Sequence, residues 1–436
     1  MIDKNLEEQN KERAILVGVV HHRQDRDLVG EYLDELALLA DTAGAEVLDR
    51  IVQEKHTIDP AFFIGKGKVA YLAKQVSDLN ADLIIFDDDL SPAQARNLEE
   101  ECKTKIIDRS GLILDIFARR AKTRDAKTQV ELAQLQYLLP RLTRRWTHLS
   151  RQAGGVGIGL RGPGETQLEV DRRMIRKRIA TLSRELEQIE KQRDLRRRRR
   201  SDLFNVALMG YTNVGKSTLM NALTSADVFV EDRLFATLDS TVRLLDHTGD
   251  QKILLIDTVG FVRKLPHHLV ASFKGTLEET KEADLLIHLV DCSHAHFLDQ
   301  MNVINGVIKE LHIDDRPVIM VFNKIDLVED KSRLRELKQE FEGCLLISAQ
   351  RGLFVEELRK EIIRYATEQS VTANIKVDMS QQKLLASIYQ WARVLSQEYV
   401  DGYVQLQIQF PATMQRKFKQ LVEEGVVIQN SSEQNK

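Results

Sequence analysis

Short apolar runs alternate with helical patterns through the first part of the chain. Four runs have the length and apolar content of buried strands, at Ala14–Val20, Glu46–Val52, Leu83–Asp87 and Lys105–Asp108. Three intervening stretches have helical periodicity, at Leu28–Thr42, Val69–Leu79 and Pro92–Lys103. Ser91 is a suitable N-cap for the third helix, because Pro92 then occupies the first helical position. The alternation predicts a small α/β domain over residues 1–110.

A helical region is predicted next, over residues 111–200. The stretch Asp125–Arg145 has high helix propensity, and a longer helix begins at Thr166. The apolar residues of the longer helix recur at steps of seven, four, three, four and three, at Leu168, Ile175, Ile179, Leu182, Leu186 and Ile189. This spacing is an a/d seam and predicts packing along one partner. We therefore expect a long antiparallel helical hairpin with the glycine-rich segment Gly154–Gly164 at its tip.

Two further domains are predicted beyond residue 200. Apolar strand patterns of a domain over residues 201–368 lie at Phe204–Met209, Lys252–Asp257, Pro317–Phe322 and Leu345–Ile347. After the polar stretch Ala366–Thr372, the pattern predicts strand Asn374–Val377, helix Gln382–Leu395, strand Tyr403–Phe410, helix Thr413–Glu423 and strand Val426–Ile428. These elements predict a small α+β domain over residues 369–436.

A glycine-containing loop follows the strand Phe204–Met209. Residues 210–217 match the pattern G-x-x-x-x-G-K-[ST], and helical residues follow them. Backbone N–H groups of such a loop surround phosphates, its lysine reaches the β- and γ-phosphates, and its serine holds Mg²⁺. The predicted phosphate-binding residues are Gly210, Tyr211, Thr212, Asn213, Val214, Gly215, Lys216, Ser217 and Thr218.

Two further motifs are predicted to contact Mg²⁺ and the γ-phosphate. Asp257-Thr258-Val259-Gly260 ends a strand, so that Asp257 would position Mg²⁺ and the Gly260 N–H would meet the γ-phosphate. Phe235-Ala236-Thr237 lies between this motif and the phosphate loop, and Thr237 follows Ser217 by 20 residues. Thr237 is predicted to close on both Mg²⁺ and the γ-phosphate. The predicted metal ligands are Ser217, Thr237 and Asp257, and the predicted catalytic groups are Lys216, Thr237 and Gly260.

Guanine is the base that the remaining motifs favour. Asn323-Lys324-Ile325-Asp326 follows the strand Pro317–Phe322, and the Asp326 carboxylate could accept from two donors on one edge of guanine. Adenine lacks that pair of donors and would leave the carboxylate unpaired. The Lys324 stem would lie across the base, and the backbone of Ser348 and Ala349 would meet the base oxygen. The motifs together predict GTP in preference to ATP.

The residue after Gly260 is Phe261, where many signalling GTPases have a glutamine that orients water. A phenyl ring cannot orient water by hydrogen bonding, so we expect slow intrinsic hydrolysis that a partner completes. The side-chain oxygen of Asn213 could hold K⁺ beside the β- and γ-phosphates, or Asn213 could brace the loop internally. The sequence leaves both alternatives open.

Charge is distributed unevenly along the chain. Residues 141–200 contain 18 Arg or Lys and 7 Asp or Glu, a net charge of +11 within a chain whose formal net charge is −3. The remainder therefore carries −14. This asymmetry favours RNA as a partner, with DNA, an acidic membrane surface or a merely solvated helix face as alternatives. The RNA-binding candidates near the glycine-rich tip are Arg151, Gly154, Gly155, Gly157, Arg161, Gly164, Arg172 and Arg173.

The cysteines and the N-terminus argue against a disulfide-rich, secreted or membrane-spanning protein, and two short loops allow more than one interpretation. The three cysteines, Cys102, Cys292 and Cys344, form neither a metal pattern nor a disulfide framework. The N-terminus lacks a signal peptide and no apolar run is long enough to span a membrane, so we expect a cytoplasmic protein. The turn Gly65–Lys68 could hold a phosphate or be a simple turn, and Asp87–Asp89 could hold a metal or form an acidic loop.

The motifs together resemble those of the HflX family within the Obg–HflX group of translation-associated GTPases. The five nucleotide motifs and Phe261 place the chain in the group. The segment from Gly154 through Arg173, the turn Phe63–Lys68 and the loop Phe235–Asp239 resemble the family itself. The similarity covers residues 13–430. It departs at Ser240, where the family pattern has proline.

This resemblance implies a monomeric, cytoplasmic GTP hydrolase that uses Mg²⁺ and binds the 50S subunit and the 70S ribosome. It implies that the hairpin tip enters the large subunit and that the protein splits or recycles ribosomes, especially under stress. It also implies a possible ATP site in the N-terminal region, for which the Gly65–Lys68 turn is the sole local feature. The alternatives are a large-subunit assembly GTPase, a guanine-nucleotide switch acting on protein effectors, and a nucleic-acid-remodelling ATPase, which the N-K-x-D motif disfavours.

Overall fold

The structure of the protein is a computed structural model. It describes residues 11–21, 26–55, 57–142, 167–200, 203–224, 234–235, 241–245, 252–264, 280–313, 315–368, 370–400, 402–411, 415–423 and 426–429. These residues fall into two compact units. The first comprises Met1–Glu190 with Glu231–Asp239 and Val259–Gly275, and the second comprises Lys191–Val230, Ser240–Thr258 and Thr276–Lys436.

The first unit contains a four-stranded parallel sheet. Its strands are β1 (Glu12–His21), β2 (Ala45–Lys55), β3 (Leu83–Phe86) and β4 (Lys105–Asp108), in the order β2-β1-β3-β4. The connecting helices are α1 (Arg26–Thr42), α2 (Lys66–Leu79) and α3 (Pro92–Cys102). Ser91 caps α3 as predicted, in a reciprocal capping box with Gln94. The predicted α/β pattern of this region is confirmed.

Three helices follow along the chain, and the third of them is divided between the two units at Glu190 and Lys191. They are α4 (Arg109–Arg120), α5 (Arg124–Leu138) and α6 (Gln167–Arg200). The sequence did not predict α4. The helix predicted over Asp125–Arg145 is wrong at its end, because α5 ends at Leu138 and a 3-10 turn containing Pro140 follows. The tip of the predicted hairpin, residues 143–166, lies outside the described residues.

The long helix α6 agrees with the predicted seam. Leu182 is buried, and Ile175, Ile179, Leu186 and Ile189 are half-buried. Arg178 joins α6 to α5, because its Nε and Nη2 donate to the two carboxylate oxygens of Glu131 at 2.7 and 2.8 Å. This pairing is bidentate, the geometry in which an arginine and a carboxylate interact most strongly.

The second unit contains a six-stranded sheet in the order β10-β9-β8-β5-β7-β6. Its strands are β5 (Phe204–Gly210), β6 (Thr241–Leu244), β7 (Ile253–Asp257), β8 (Leu285–Asp291), β9 (Val318–Asn323) and β10 (Leu345–Leu346). All pairs are parallel except β6 with β7. Its helices are α7 (Lys216–Leu223), α8 (Phe297–Glu310), α9 (Lys331–Glu340) and α10 (Val355–Glu368). The carboxyl ends of β5, β7 and β9 carry the predicted motifs, as expected for an open α/β sheet.

An antiparallel sheet in the order β12-β13-β11-β14 completes the second unit. Its strands are β11 (Ser370–Asp378), β12 (Arg393–Val400), β13 (Tyr403–Pro411) and β14 (Val427–Gln429), and its helices are α11 (Gln382–Trp391) and α12 (Gln415–Glu423). The helix predicted over Gln382–Leu395 is wrong beyond Trp391. Ala392 is extended, and the chain then pairs with β13 from Arg393 onward, so strand pairing replaces helix propensity there.

Candidate functional site

The phosphate loop connects β5 to α7, and two of its glycines are required by close packing. A Cβ at Gly210 would lie 2.5 Å from the Leu289 carbonyl oxygen. Gly215 has a φ of +95°, and a Cβ there would lie 2.5 Å from Asn323 Nδ2. Both distances are too short for any other residue, so the backbone can take this path only with glycine at these positions.

Lys216 is buried at the start of α7 and points into the loop. Its Nζ donates to the carbonyl oxygens of Gly210 and Tyr211 at 3.0 and 2.7 Å. Burial lowers the pKa of Lys216 to about 8, while the charge of Asp257 opposes that shift. A phosphate in the loop would favour the charged form, so the site is suited to an anion.

The predicted metal ligands Ser217 and Asp257 lie side by side. Ser217 Oγ donates to Asp257 Oδ2 at 2.8 Å, and Asp257 is buried at the end of β7. The neighbouring Thr258 is also buried, and its hydroxyl donates to the Leu208 carbonyl oxygen at 2.6 Å. A hydroxyl and a carboxylate held together fit Mg²⁺, which prefers oxygen ligands and takes few of them from protein. The third predicted ligand, Thr237, lies outside the described residues.

Asn323 connects the base end of the site to the phosphate loop. Its side chain is 2% exposed, and its Nδ2 donates to the Val214 carbonyl oxygen at 2.7 Å. Its Oδ1 accepts from the Ala349 N–H at 2.9 Å. One buried amide therefore ties the N-K-x-D motif, the phosphate loop and the Ser348-Ala349 segment into a single hydrogen-bonded group.

The other residues of the base end are positioned around Asn323. Lys324 has a φ of 66°, and its Nζ lies 2.7 Å from Asp291 Oδ2. Asp326 is the middle residue of the short 3-10 turn that follows, and Arg351 Nε lies 4.0 Å from its Oδ2. Ser348 is fully buried and bonds through its backbone to Leu353. Sequence reasoning missed Asp291, although its place at the end of a buried strand could have indicated it.

The structure does not describe every residue predicted to respond to the γ-phosphate. Ala236 and Thr237 lie outside the described residues, whereas Phe235 is buried with a φ of 56°. Val259, Gly260 and Phe261 are described, and Val259 and Phe261 are buried. These residues belong to the first compact unit, and the phosphate loop belongs to the second.

Most of the RNA-binding candidates also lie outside the described residues. Arg151, Gly154, Gly155, Gly157, Arg161 and Gly164 are in that group. Arg172 and Arg173 lie in the second turn of α6, where Arg172 is half-buried and Arg173 is exposed.

The turn Gly65–Lys68 and the loop Asp87–Asp89 were left ambiguous by the sequence. The Gly65 N–H donates to Gln53 Oε1 at 2.9 Å, so this amide is already occupied as the chain enters α2. Asp87, Asp88 and Asp89 pair with basic or hydroxyl side chains. In the part of the chain that the structure describes, no group of three or more His, Cys, Asp or Glu residues could hold a metal ion.

Comparison with known protein families matches three stretches of the chain. Residues 30–118 match a family described as the N-terminal region of GTP-binding GTPases, and residues 120–200 match its middle region. Residues 205–324 match the family described as 50S ribosome-binding GTPases. The GTPase HflX of Escherichia coli is 43% identical over 405 residues, 92% of this chain and 94% of that protein. The chain belongs to the HflX family of GTPases.

A second relative confirms the resemblance drawn from the motifs. The GTPase HflX of Flavobacterium psychrophilum is 46% identical over 83% of this chain and 92% of that protein. A solved structure of a GTP-binding protein from Sulfolobus solfataricus with GDP covers 82% of this chain and 99% of that chain, with 25% identity and a TM-score of 0.42. As a P-loop member of the HflX family, the chain is a GTP hydrolase whose nucleotide chemistry uses Mg²⁺. None of its described helices is both long and apolar enough to cross a membrane.

Proposed function

We propose that this GTP hydrolase binds the large ribosomal subunit and splits or recycles 70S ribosomes in the cytoplasm, particularly under stress. The observation that carries the proposal is α6, a basic helix that joins the glycine-rich segment to the guanine-nucleotide domain. Its 34 residues include 13 Arg or Lys and 6 Asp or Glu. At 1.5 Å per residue the helix is about 50 Å long, enough to reach well into a large RNA particle.

The exposed side of α6 supports contact with a polyanion. Arg173, Arg176, Lys177 and Arg184 are exposed, and the first three lie in the N-terminal half of the helix. Arginine and lysine on one helix face interact with phosphates along a nucleic-acid backbone and release its counterions. Because such contacts are independent of sequence, they suit a long structured RNA.

The nucleotide site supplies the switch in this proposal. Lys216 neutralises the β- and γ-phosphates, and Ser217, Thr237 and Asp257 hold or position Mg²⁺. Gly260 senses the γ-phosphate, and Asn323 and Asp326 recognise guanine. GTP favours the state that binds the ribosome, and hydrolysis favours release. Phe261 cannot orient water, so the ribosome completes the hydrolytic site.

Sedimentation of 70S ribosomes with the full chain tests the proposal. The mixture contains GTP, a non-hydrolysable GTP analogue or GDP. We expect 50S and 30S peaks, with the protein on the 50S peak, in both triphosphate forms and intact 70S with GDP. Intact 70S without protein on any ribosomal peak would contradict the proposal. The alternative of a guanine-nucleotide switch that acts on protein effectors would then remain. Binding to immature large subunits alone would indicate the assembly role.

A charge-reversal pair tests whether α6 is the contacting element. The test variant carries Arg173→Glu and Lys177→Glu, two exposed residues four apart on α6. The control carries Lys331→Glu and Arg335→Glu, an exposed pair with the same spacing on α9. We expect the first variant to lose at least tenfold in affinity for 50S and the second to lose less than twofold. Equal losses would refute the assignment to α6.

A further inference from the structure

The residues at the end of β8 support the N-K-x-D motif of the neighbouring strand. Asp291 ends β8 and lies opposite Asn323, which ends β9, in the parallel register. The backbone N–H and the thiol of Cys292 both donate to the Asn323 carbonyl oxygen, at 3.1 and 3.0 Å. Burial, followed by the charge of Asp291, raises the pKa of Cys292 to about 12, so the sulfur stays protonated and can donate. The first residue of the motif is therefore attached to the end of β8.

An ion pair attaches the second residue of the motif to the same strand end. Lys324 Nζ lies 2.7 Å from Asp291 Oδ2, and the two side chains are 25% and 14% exposed. Partial burial reduces the screening of such a pair by salt, so it is stronger than a fully exposed pair. Lys324 also has a φ of 66°, a conformation that lysine rarely adopts, so contacts with its surroundings hold it there. The ammonium group is therefore fixed at the end of β8.

The Asp291 carboxylate is oriented by contacts that do not involve Lys324. Its Oδ1 accepts from the backbone N–H of Ser293 at 3.0 Å and from the Ser293 hydroxyl at 2.5 Å. The backbone contact is an Asx turn, in which an aspartate binds the main chain two residues further on. Because Ser293 occupies Oδ1, the other oxygen, Oδ2, is left to bind Lys324. The two oxygens thus have separate partners, and Ser293 orients the acceptor that holds the ammonium group.

A fixed ammonium group affects nucleotide binding because the lysine side chain is long and has many rotamers. Ordering those rotamers opposes any contact that the methylene stem makes. The Lys324 stem is predicted to lie across the base, and the ion pair with Asp291 restricts the stem in advance. Contact between methylene groups and the face of a purine ring is independent of the groups at the ring edge. Asp326, in contrast, is predicted to bind that edge.

We propose that Asp291 is a positioning residue for guanine nucleotides, which together with Ser293 holds Lys324 so that its stem is ordered against the base. Asp291 itself touches no part of the nucleotide. Its effect is therefore the same on GDP and GTP, and it sets the affinity without changing which base is preferred. The proposal rests on the predicted position of the Lys324 stem and is independent of any contact with the ribosome.

A double-mutant cycle on the full chain, with GDP affinity measured by calorimetry, tests the proposal. The variants are Asp291→Asn, Lys324→Met, which keeps the stem without its ammonium group, and the combination of the two. Each single change breaks the same ion pair, so we expect each to weaken GDP binding by about tenfold, and the combination to weaken it no further. Asp299→Asn is the control, because the Asp299 side chain is 48% exposed and lies 3.7 Å from His296 on α8. It should change GDP affinity less than twofold.

Inosine diphosphate separates an effect on the stem from an effect on the base edge. Inosine lacks the amino group that Asp326 is predicted to bind, but its ring presents a similar face. Asp291→Asn should therefore weaken GDP and inosine diphosphate by equal factors. Ser293→Ala, which removes the hydroxyl donor to Oδ1, is a milder variant should Asp291→Asn fail to fold. It should weaken GDP binding by about threefold in the unaltered chain and less than twofold in Lys324→Met.

Losses that multiply to about a hundredfold in the combined variant would overturn the proposal, because Asp291 would then act by a route other than Lys324. Unchanged GDP affinity in either single variant would also overturn it. So would a loss in Asp291→Asn that is larger for GDP than for inosine diphosphate, because the carboxylate would then act on the base edge. None of these outcomes bears on ribosome splitting, which sedimentation tests separately.

Discussion

The base end of the nucleotide site and the γ-phosphate-responsive segments are built in different ways. At the base end, the Asn323 amide bonds to Val214 and Ala349, and all three residues belong to the second unit. Phe235 instead contacts Phe117 of α4, and Lys264 pairs with Asp87 in the loop after β3, both within the first unit. The residues predicted to recognise guanine are therefore held by contacts within the second unit, whereas Phe235 and Lys264 are held by contacts within the first.

Gly215→Ala should cause the largest loss of nucleotide affinity. The new Cβ would lie 2.5 Å from Asn323 Nδ2 at a φ of +95°. Left-handed strain and the loss of a buried hydrogen bond together cost roughly 4 kcal/mol, or about a thousandfold in affinity. We expect calorimetry to detect loss of both GDP and GTP binding to that extent.

Gly306→Ala is the matched control for Gly215→Ala. Gly306 is exposed in α8, and an added Cβ there would meet nothing within 4 Å. The substitution should raise the free energy of unfolding by about 0.5–1 kcal/mol, because alanine is the better helix former. Unchanged GDP affinity in Gly215→Ala would contradict the close approach of Gly215 to Asn323.

The elements that sequence reasoning found differ physically from those it missed. Gly215 and Asn323 were predictable because a short local motif fixes the backbone around a phosphate or a base. Helix α4 was not predicted, because it begins with Arg109, Ser110 and Gly111, two polar residues and a poor helix former that the fold nevertheless buries. Strand β12 was missed because its residues are largely exposed, and pairing with β13 decides its conformation.

The sequence also did not predict the contacts of the segment that follows the D-x-x-G motif. The sequence left two alternatives for Asp87–Asp89, a metal site or an acidic loop, and did not predict its ion pairs. Its partner Lys264 is separated from Asp87 by 177 residues, and nothing in the local pattern joins the two. Such a pairing becomes visible only when the fold brings the segments together.

Asp326→Asn should cause the next largest loss of GTP affinity and should change which base the site prefers. The amide would lose one acceptor for the guanine donors and present a donor to the carbonyl of xanthine. We expect GTP affinity to fall by about 10²–10³-fold and xanthosine triphosphate to bind in its place. Asp330→Asn is the control, because Asp330 caps α9 and asparagine caps equally well. Unchanged GTP preference in Asp326→Asn would contradict the base assignment.

His288→Met should change how stability depends on pH. His288 lies in β8, 1% exposed, and neither ring nitrogen has a hydrogen-bond partner among the described residues. Burial lowers its pKa from 6.5 to about 4 in the folded protein. The unfolded chain therefore binds more protons between these values, and stability falls as the pH drops from 6.5 toward 4.

The loss attributable to His288 is roughly 3 kcal/mol at pH 4, equivalent to about 10²-fold in the folding equilibrium. Urea unfolding of the second unit at pH 7 and pH 4.5 measures it. His288→Met should remove most of the difference between the two pH values. An identical pH dependence in the variant would show that other groups cause the acid sensitivity.

Replacement of K⁺ by Na⁺ should have the smallest effect, about tenfold on turnover. Asn213 is exposed in the phosphate loop with a φ of 62°, and we propose that its oxygen holds K⁺ where charge develops on the phosphates. Asn213→Gly removes this oxygen without backbone strain, because glycine tolerates the left-handed conformation. Turnover should then be equal in KCl and NaCl of the same concentration. If Asn213 only braces the loop, the unaltered enzyme will itself turn over equally in both salts, and Asn213→Gly will slow both alike.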